Sequence, residues 1–256
     1  MLRSIADSLY ERRLLLQCRH IPRHIAIIQD GNRRFARMMK MQKSEGHRLG
    51  ADRTEEMLDW ASELGIRYIT LYSFSTENFN RESEEVKMLF ALFKNKFTSI
   101  TSDHRVHRKH IRVQMVGDRS LLPKDLLGAI EAAEESTAGY TDFYLNIALA
   151  YGGRNEIVRA TRNILREVYD GSCAPEEIDP DRFEQNLHAG RNLPPVDLII
   201  RTGNEYRTSN FLPWLANGHE CAVYFCAPYW PMFRKIDLLR AIRLYSQRVE
   251  SKAGNS

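Results

Sequence analysis

The sequence predicts an α/β protein whose central, mainly parallel sheet of about six strands is flanked by helices, and three observations carry that prediction. Six short apolar runs have the length of strands: Ile25 to Ile28, Tyr68 to Phe74, Ile111 to Val116, Phe143 to Ala150, Leu198 to Ile200 and Ala222 to Phe225. Several are apolar at nearly every position, as strands covered on both faces of a parallel sheet are. Segments of helical period separate them, which gives right-handed crossovers. Two polar, basic clusters begin where strand-like runs end, and ligands in open α/β sheets sit outside those carboxyl ends.

The 256 residues contain no repeat, low-complexity stretch or long linker, so we read them as a single domain spanning 1–256. A chain of this size buries roughly 75% of its unfolded surface. Its 43% hydrophobic and 27% charged fractions are those of a soluble globular protein. No run approaches the ~20 consecutive apolar residues of a membrane span. Met1 to Leu16 carries Arg3, Asp7, Glu11, Arg12 and Arg13 where a secretory signal needs an apolar core, so a cytoplasmic location is expected. Cys18, Cys173, Cys221 and Cys226 are scattered without a CxxC pair, which argues for reduced thiols and against a zinc site.

In chain order, residues 1–20 hold an amphipathic helix, Ser4 to Arg19, of unknown docking. The first strand leads into HIAIIQDGNRRFAR, His24 to Arg37. There Asp30 is a hard-cation ligand type, Gly31 allows close backbone approach, and Arg33 and Arg34 bring donor forks. Glu45, Gly46 and His47 precede a helix with Gly50, Thr54, Met57, Leu58, Ala61 and Leu64 on one face and Gly65 as its C-cap. The N-terminal amides of that helix favour an anion, and Lys43 stands just upstream. The second strand ends in FSTENFNR, with Ser75, Thr76, Glu77, Asn78 and Arg81 nearly in a row. By itself this segment reads equally as a binding loop or as the start of the next helix, with Glu82 as helix-start chemistry.

That helix presents Val86, Leu89, Phe90, Phe93, Phe97 and Ile100 on one face. The basic run Arg105, His107, Arg108, Lys109, His110 and Arg112 reads as a solvated turn before the third strand rather than a nucleic-acid site, since no RNA or DNA motif accompanies it. Another helix, Asn155 to Tyr169, starts after Gly152 and Gly153. The second cluster, DLIIRTGNEYRTSNF from Asp197 to Phe211, places Arg201 and Arg207 on either side of Gly203, with the Ser209 hydroxyl two positions on. Ile236 to Glu250 forms a last helix and 251–256 a flexible tail. Trp214, Trp230 and Tyr224 belong to the core or to a subunit interface. One cluster suits one phosphorylated group; the pair suggests two.

Taken together, HIAIIQDGNRRFAR, EGH at Glu45 to His47, LYSFSTENFNR at Leu71 to Arg81, LNIALAYGGRNEI at Leu145 to Ile157 and DLIIRTGNEYRTSNFLPW at Asp197 to Trp214 resemble the cis-prenyltransferases, the undecaprenyl diphosphate synthase family. Phe35 after GNRR, and ENF where bacterial members carry Trp, resemble the archaeal and eukaryotic branch. The resemblance implies Mg²⁺-dependent condensation of an allylic prenyl diphosphate with isopentenyl diphosphate or a related acceptor, and an apolar tunnel for the growing chain. It also implies a homodimer and leaves peripheral membrane contact open.

By the same resemblance Gly31, Asn32, Arg33, Arg34, Lys43 and Arg81 hold the allylic diphosphate, and Phe35, His47, Ser75, Glu77 and Phe79 are further substrate-binding residues. Arg201, Arg207 and Ser209 serve the homoallylic diphosphate, and Asp30 with Glu220 serves Mg²⁺. The proton acceptor stays open among Asn78, His47 and a diphosphate oxygen. The Leu89, Phe90, Phe93 and Phe97 face is either core or tunnel wall. Three departures stand out: Lys43 where bacterial members carry Arg, Asn204 where a second Gly or Ser-Gly is common, and Glu220 about two residues further from its strand. Some eukaryotic relatives are catalytically silent partner subunits that lose the acidic and basic residues of the first motif. This chain keeps Asp30, Arg33 and Arg34.

Overall fold

The computed structural model describes residues 2–187, 193–216 and 221–253, with side chains from residue 7 onward. Its six strands are β1 (His24–Ile28), β2 (Tyr68–Ser75), β3 (Ile111–Val116), β4 (Phe143–Tyr151), β5 (Leu198–Arg201) and β6 (Ala222–Phe225). They form one sheet in the order β3-β4-β2-β1-β5-β6. Every neighbouring pair is parallel. All six expected runs are therefore strands.

The two-residue period of β1 shows how the sheet is covered. Ile25 and Ile27 point into a core with Met57, Leu89, Phe97, Ile130 and Leu238. Ala26 and Ile28 point to the opposite face, against Ile199, Phe211, Leu212 and Leu215. The first face is covered by α3 (Lys43–Glu63), α4 (Ser83–Ile100), α6 (Lys124–Ser136) and α9 (Lys235–Ala253), which supply those helical residues. The residue 211–216 segment lies on the second face, and α7 (Gly153–Tyr169) follows β4.

The helix α1 (Leu2–Gln17) docks on α9, which answers the docking left open by the sequence. Leu14 is fully buried there, His20 N donates to Ser246 Oγ at 3.0 Å, and the Arg240 guanidinium lies 5.3 Å from the Tyr10 ring centre. The last helix continues through Ala253, so 251–253 are helical where a tail was expected. Trp230 is core: 1% exposed, it donates Nε1–H to the Gly50 carbonyl at 2.8 Å. Trp214 packs on Phe183 at 4.4 Å and donates to Glu184.

Four short or moderate helices were not anticipated. These are α2 (Asn32–Met38), α5 (His104–Arg108), α6 and α8 (Pro180–Gln185). For α6 the period was present, because Leu126, Ile130 and Ala133 all turn inward. The helix α3 starts at Lys43, so Lys43, Glu45, Gly46 and His47 form its first turns rather than preceding it. Gly65 closes it as expected, at φ 78°, with the Gly65 and Ile66 amides donating to the Ser62 and Ala61 carbonyls.

The topology also fixes where a ligand can sit. From β1 the chain moves to β2 on one side, while β5 returns to the other side of β1. The carboxyl ends of β1 and β5 thus flank the point where strand order reverses, the crevice used by open α/β sheets. Ile28 and Arg201 are register partners at that end.

Candidate active site

The two basic clusters, about 170 residues apart in sequence, meet beyond β1 and β5. Asp30 follows a tight turn in which its amide donates to the Ile28 carbonyl at 2.9 Å. Gly31 then takes φ 109° as the N-cap of α2, where an added Cβ would lie 2.7 Å from the Tyr229 ring. Gly203 packs against the same turn at φ 86°. A Cβ there would lie 2.7 Å from Arg34 Nη2, so glycine lets the second cluster close on the first.

Asp30 is the joint between them. Its Oδ1 lies 3.0 Å from Arg34 Nη2 and its Oδ2 accepts from Arg201 Nη2 at 2.8 Å. Thr202 Oγ1 donates to the Asp30 carbonyl at 2.7 Å. The Arg201 side chain is 4% exposed, and its Nη1 donates to Ser209 Oγ and to the Arg207 carbonyl, both at 2.6 Å. Arg201 therefore braces the second cluster from inside, while Arg207 is exposed and paired with Glu205. Arg34 also reaches Glu205, at 3.1 Å, and lies over the Tyr229 ring.

A second basic group surrounds Glu85, a residue the sequence did not single out. The Glu85 side chain is 3% exposed, and Oε1 accepts from Arg81 Nη1 at 3.1 Å. Arg33 Nε at 3.6 Å and His47 Nε2 at 3.5 Å face the same oxygen, and Lys43 Nζ is 3.6 Å from Oε2. Lys43 also pairs with exposed Glu82 at 2.9 Å. The signal was legible: Glu85, Leu89, Phe93 and Phe97 recur every four residues, which places a carboxylate on the inward face of α4. Neighbouring Arg33 and Arg34 on α2 thus diverge, one to Glu85 and the other to Asp30.

Burial, reinforced by the nearby Arg81 charge, pushes the His47 pKa down to about 4, against a smaller opposing pull from Glu85. His47 is accordingly neutral at pH 7. Asn78 Oδ1 accepts the Ser75 amide at 3.1 Å and closes the 3-10 turn Thr76–Asn80. Glu77 is exposed on this turn. Phe79 packs edge-on against Phe74 at 5.0 Å. Asn32 donates Nδ2–H to the Gln29 carbonyl, and its buried Oδ1 has no protein partner. Phe35 is half-buried.

No three His, Cys, Asp or Glu residues among the described residues are grouped to hold a metal by themselves. A lone carboxylate such as Asp30 still fits Mg²⁺, which keeps water and takes phosphate oxygens alongside one or two carboxylates. Glu220 lies outside the described residues.

An apolar cavity of about 200 Å³ runs between α3, α4 and the sheet. It begins at Gln29, Asn32 and His47, beside the basic groups, and passes Leu89, Phe93 and Phe97 toward Ile100 and Val106. Phe90, expected on the same wall, instead packs against Phe74 and Phe79. The basic run near residue 105 is a short helix rather than a plain turn. Arg105 and Lys109 pair with Glu55 and Asp59 of α3 at 2.9 and 2.6 Å, at the far end of the cavity.

Residues 28–253 match the family profile described as putative undecaprenyl diphosphate synthase. The chain is similar to the tritrans,polycis-undecaprenyl-diphosphate synthase (geranylgeranyl-diphosphate specific) of Halobacterium salinarum, with 48% identity over 246 residues, 96% of this chain and 81% of that protein. The enzyme of the same name from Archaeoglobus fulgidus is 49% identical over 246 residues, 95% of this chain and 97% of that protein. The crystal structure of lavandulyl diphosphate synthase from Lavandula x intermedia in complex with dimethylallyl diphosphate matches with a TM-score of 0.81 at 34% identity, covering 88% of this chain and 95% of that one. The archaeal relatives agree with the branch to which Phe35 and Phe79 pointed. The chain belongs to the undecaprenyl diphosphate synthase family, the cis-prenyltransferases that condense an allylic diphosphate with isopentenyl diphosphate.

Proposed function

We propose that this cis-prenyltransferase elongates an allylic diphosphate of about geranylgeranyl length, the specificity carried in the names of its archaeal relatives. The observation that supports the two-site arrangement is the divergence of Arg33 and Arg34 from one short helix beside the mouth of an apolar cavity. Arg33, Lys43 and Arg81 take the allylic diphosphate, whose hydrocarbon tail enters the cavity. Arg207 and Ser209, braced by Arg201, take isopentenyl diphosphate. Asp30, between the two groups, would hold Mg²⁺, which would supply neutralisation of the charge on the departing diphosphate.

The chemistry asks little else of the protein. As the allylic C1–O bond breaks, negative charge grows on the leaving diphosphate, and preorganised arginines stabilise it more in the transition state than in the ground state. The double bond of isopentenyl diphosphate supplies the electrons for the new C–C bond, and a proton then leaves the adjacent carbon. Asn78 has no titratable group and spends its Oδ1 on the Ser75 amide. His47 is a weak base because burial disfavours its cation. In our reading the proton therefore goes to a substrate diphosphate oxygen.

The test is product analysis by mass spectrometry across allylic starters of increasing length, with Mg²⁺ or EDTA. Efficient extension with geranylgeranyl diphosphate, abolished by EDTA, is expected. Preference for a five-carbon starter would overturn the assignment. The homodimer implied by the resemblance is tested by light scattering, and membrane contact by vesicle sedimentation. Among the described residues no helix is long and apolar enough to cross a membrane.

A further inference from the structure

Glu85 touches no substrate in the arrangement above, yet side chains from three separate elements converge on it: Arg33 from α2, Lys43 and His47 from α3, and Arg81 from the segment before α4. Burying a carboxylate is costly unless charged partners or hydrogen bonds offset it. Here those partners are the cations assigned to the allylic diphosphate. The first turn of an 18-residue helix adds favourable amide dipoles. Glu85 Oε1 accepts the Arg81 bond, and among the described residues its Oε2 has no hydrogen-bond donor.

We infer that Glu85 is a positioning residue of the prenyl transfer reaction, an anchor that holds Arg33, Lys43 and Arg81 aimed at one diphosphate. Three cations within a few ångströms repel one another. The Arg33 side chain, 47% exposed, is free to turn toward water when nothing holds it, and Lys43, 44% exposed, would be drawn outward to exposed Glu82 alone. Arg81 is more enclosed, at 23%. The carboxylate sits behind these groups and leaves a surplus of positive charge for the anion. The same residue occupies the position one α-helical turn ahead of cavity-lining Leu89, so it also ties the diphosphate site to the wall that receives the tail.

This inference rests on the allylic assignment of Arg33, Lys43 and Arg81, and the experiment separates the two. Steady-state constants for both substrates are measured for Glu85→Gln, Glu85→Asp, Arg81→Ala and the Glu85→Gln/Arg81→Ala double variant, with thermal melting to verify folding. Anchoring predicts that Glu85→Gln raises the allylic KM roughly tenfold, the lower end of effects from supporting groups, while the isopentenyl KM stays within twofold. Glu85→Asp keeps the charge but withdraws it by one methylene, so it also raises the allylic KM. The allylic KM of the double variant exceeds that of Arg81→Ala by less than the Glu85→Gln factor measured in the parent, since Glu85 acts partly through Arg81.

A lowered allylic KM in Glu85→Gln would make Glu85 a simple counter-charge and overturn the inference. So would a parental KM in Glu85→Asp, or equal effects on both substrates. Should Glu85→Gln fail to fold, Glu85→Asp decides. If Arg81→Ala leaves the allylic KM unchanged, the allylic site itself is misassigned; if Arg81→Ala raises it and the Glu85 variants do not, only the anchoring role fails.

Discussion

Asp30 is expected to contribute to both the chemistry and the stability of the crevice, and the two effects can be measured apart. From the sequence alone, Asp30→Ala should abolish turnover without touching the fold, because a strand-end carboxylate opens no core cavity. In the structure Asp30 Oδ2 accepts from Arg201, whose side chain is only 4% exposed. Truncation leaves a nearly buried guanidinium with two of its three acceptors, Ser209 Oγ and the Arg207 carbonyl. A hydrogen bond to a charged group contributes about 1.5–3 kcal/mol, and the 28% exposure of Asp30 places this one near the lower end. For a chain of this size that corresponds to a fall in melting temperature of roughly 3–8 °C. Asp30→Asn keeps an acceptor for Arg201 and should lose about half as much. Both variants lose the anionic ligand, so turnover should drop ~10²-fold or more. Differential scanning fluorimetry and product formation in Mg²⁺ read the two effects. Asn activity within a few-fold of the parent would refute the charge and metal role; an unchanged Ala melting temperature would refute the clasp on Arg201.

Three further outcomes follow from the same geometry. Arg207→Ala, at an exposed position, should raise the KM for isopentenyl diphosphate, and Arg33→Ala that for the allylic substrate; equal effects on both substrates would erase the two-site map. Phe93→Ala should shift products to longer chains by widening the cavity. Phe97→Ala is the poorer probe, because that ring is 1% exposed and its loss costs about 3–5 kcal/mol; unchanged product length in folded Phe93→Ala would return this side to ordinary core. Since the folded-state pKa of His47 lies below its ordinary 6.5, at about 4, its contribution is present above pH 6.5 and is lost as pH falls toward 4. His47→Gln should therefore lose less thermal stability between pH 7 and 5 than the parent, and parallel losses would refute the depressed pKa.

The strands were legible because a run such as His24–Ile28 is apolar at every position but its first, a pattern that few structures other than a doubly covered parallel strand satisfy. The motifs were legible because strand ends followed by Asp, Gly and Arg read as phosphate chemistry wherever they fall. The helices α2 and α5 were hidden, being too short for a period to emerge from polar sequence. Sequence by itself thus determined the fold class and the family, and it named the residue types of the candidate site. Tertiary structure alone decided the pairings: that Arg33 and Arg34 part company, that Arg201 spends its fork on Asp30 and Ser209, and that Glu85 gathers the cations. Those outcomes depend on which groups β1, β5, α3 and α4 bring together across long sequence separations, and the period of a single helix or strand carries no information about the partner it will face.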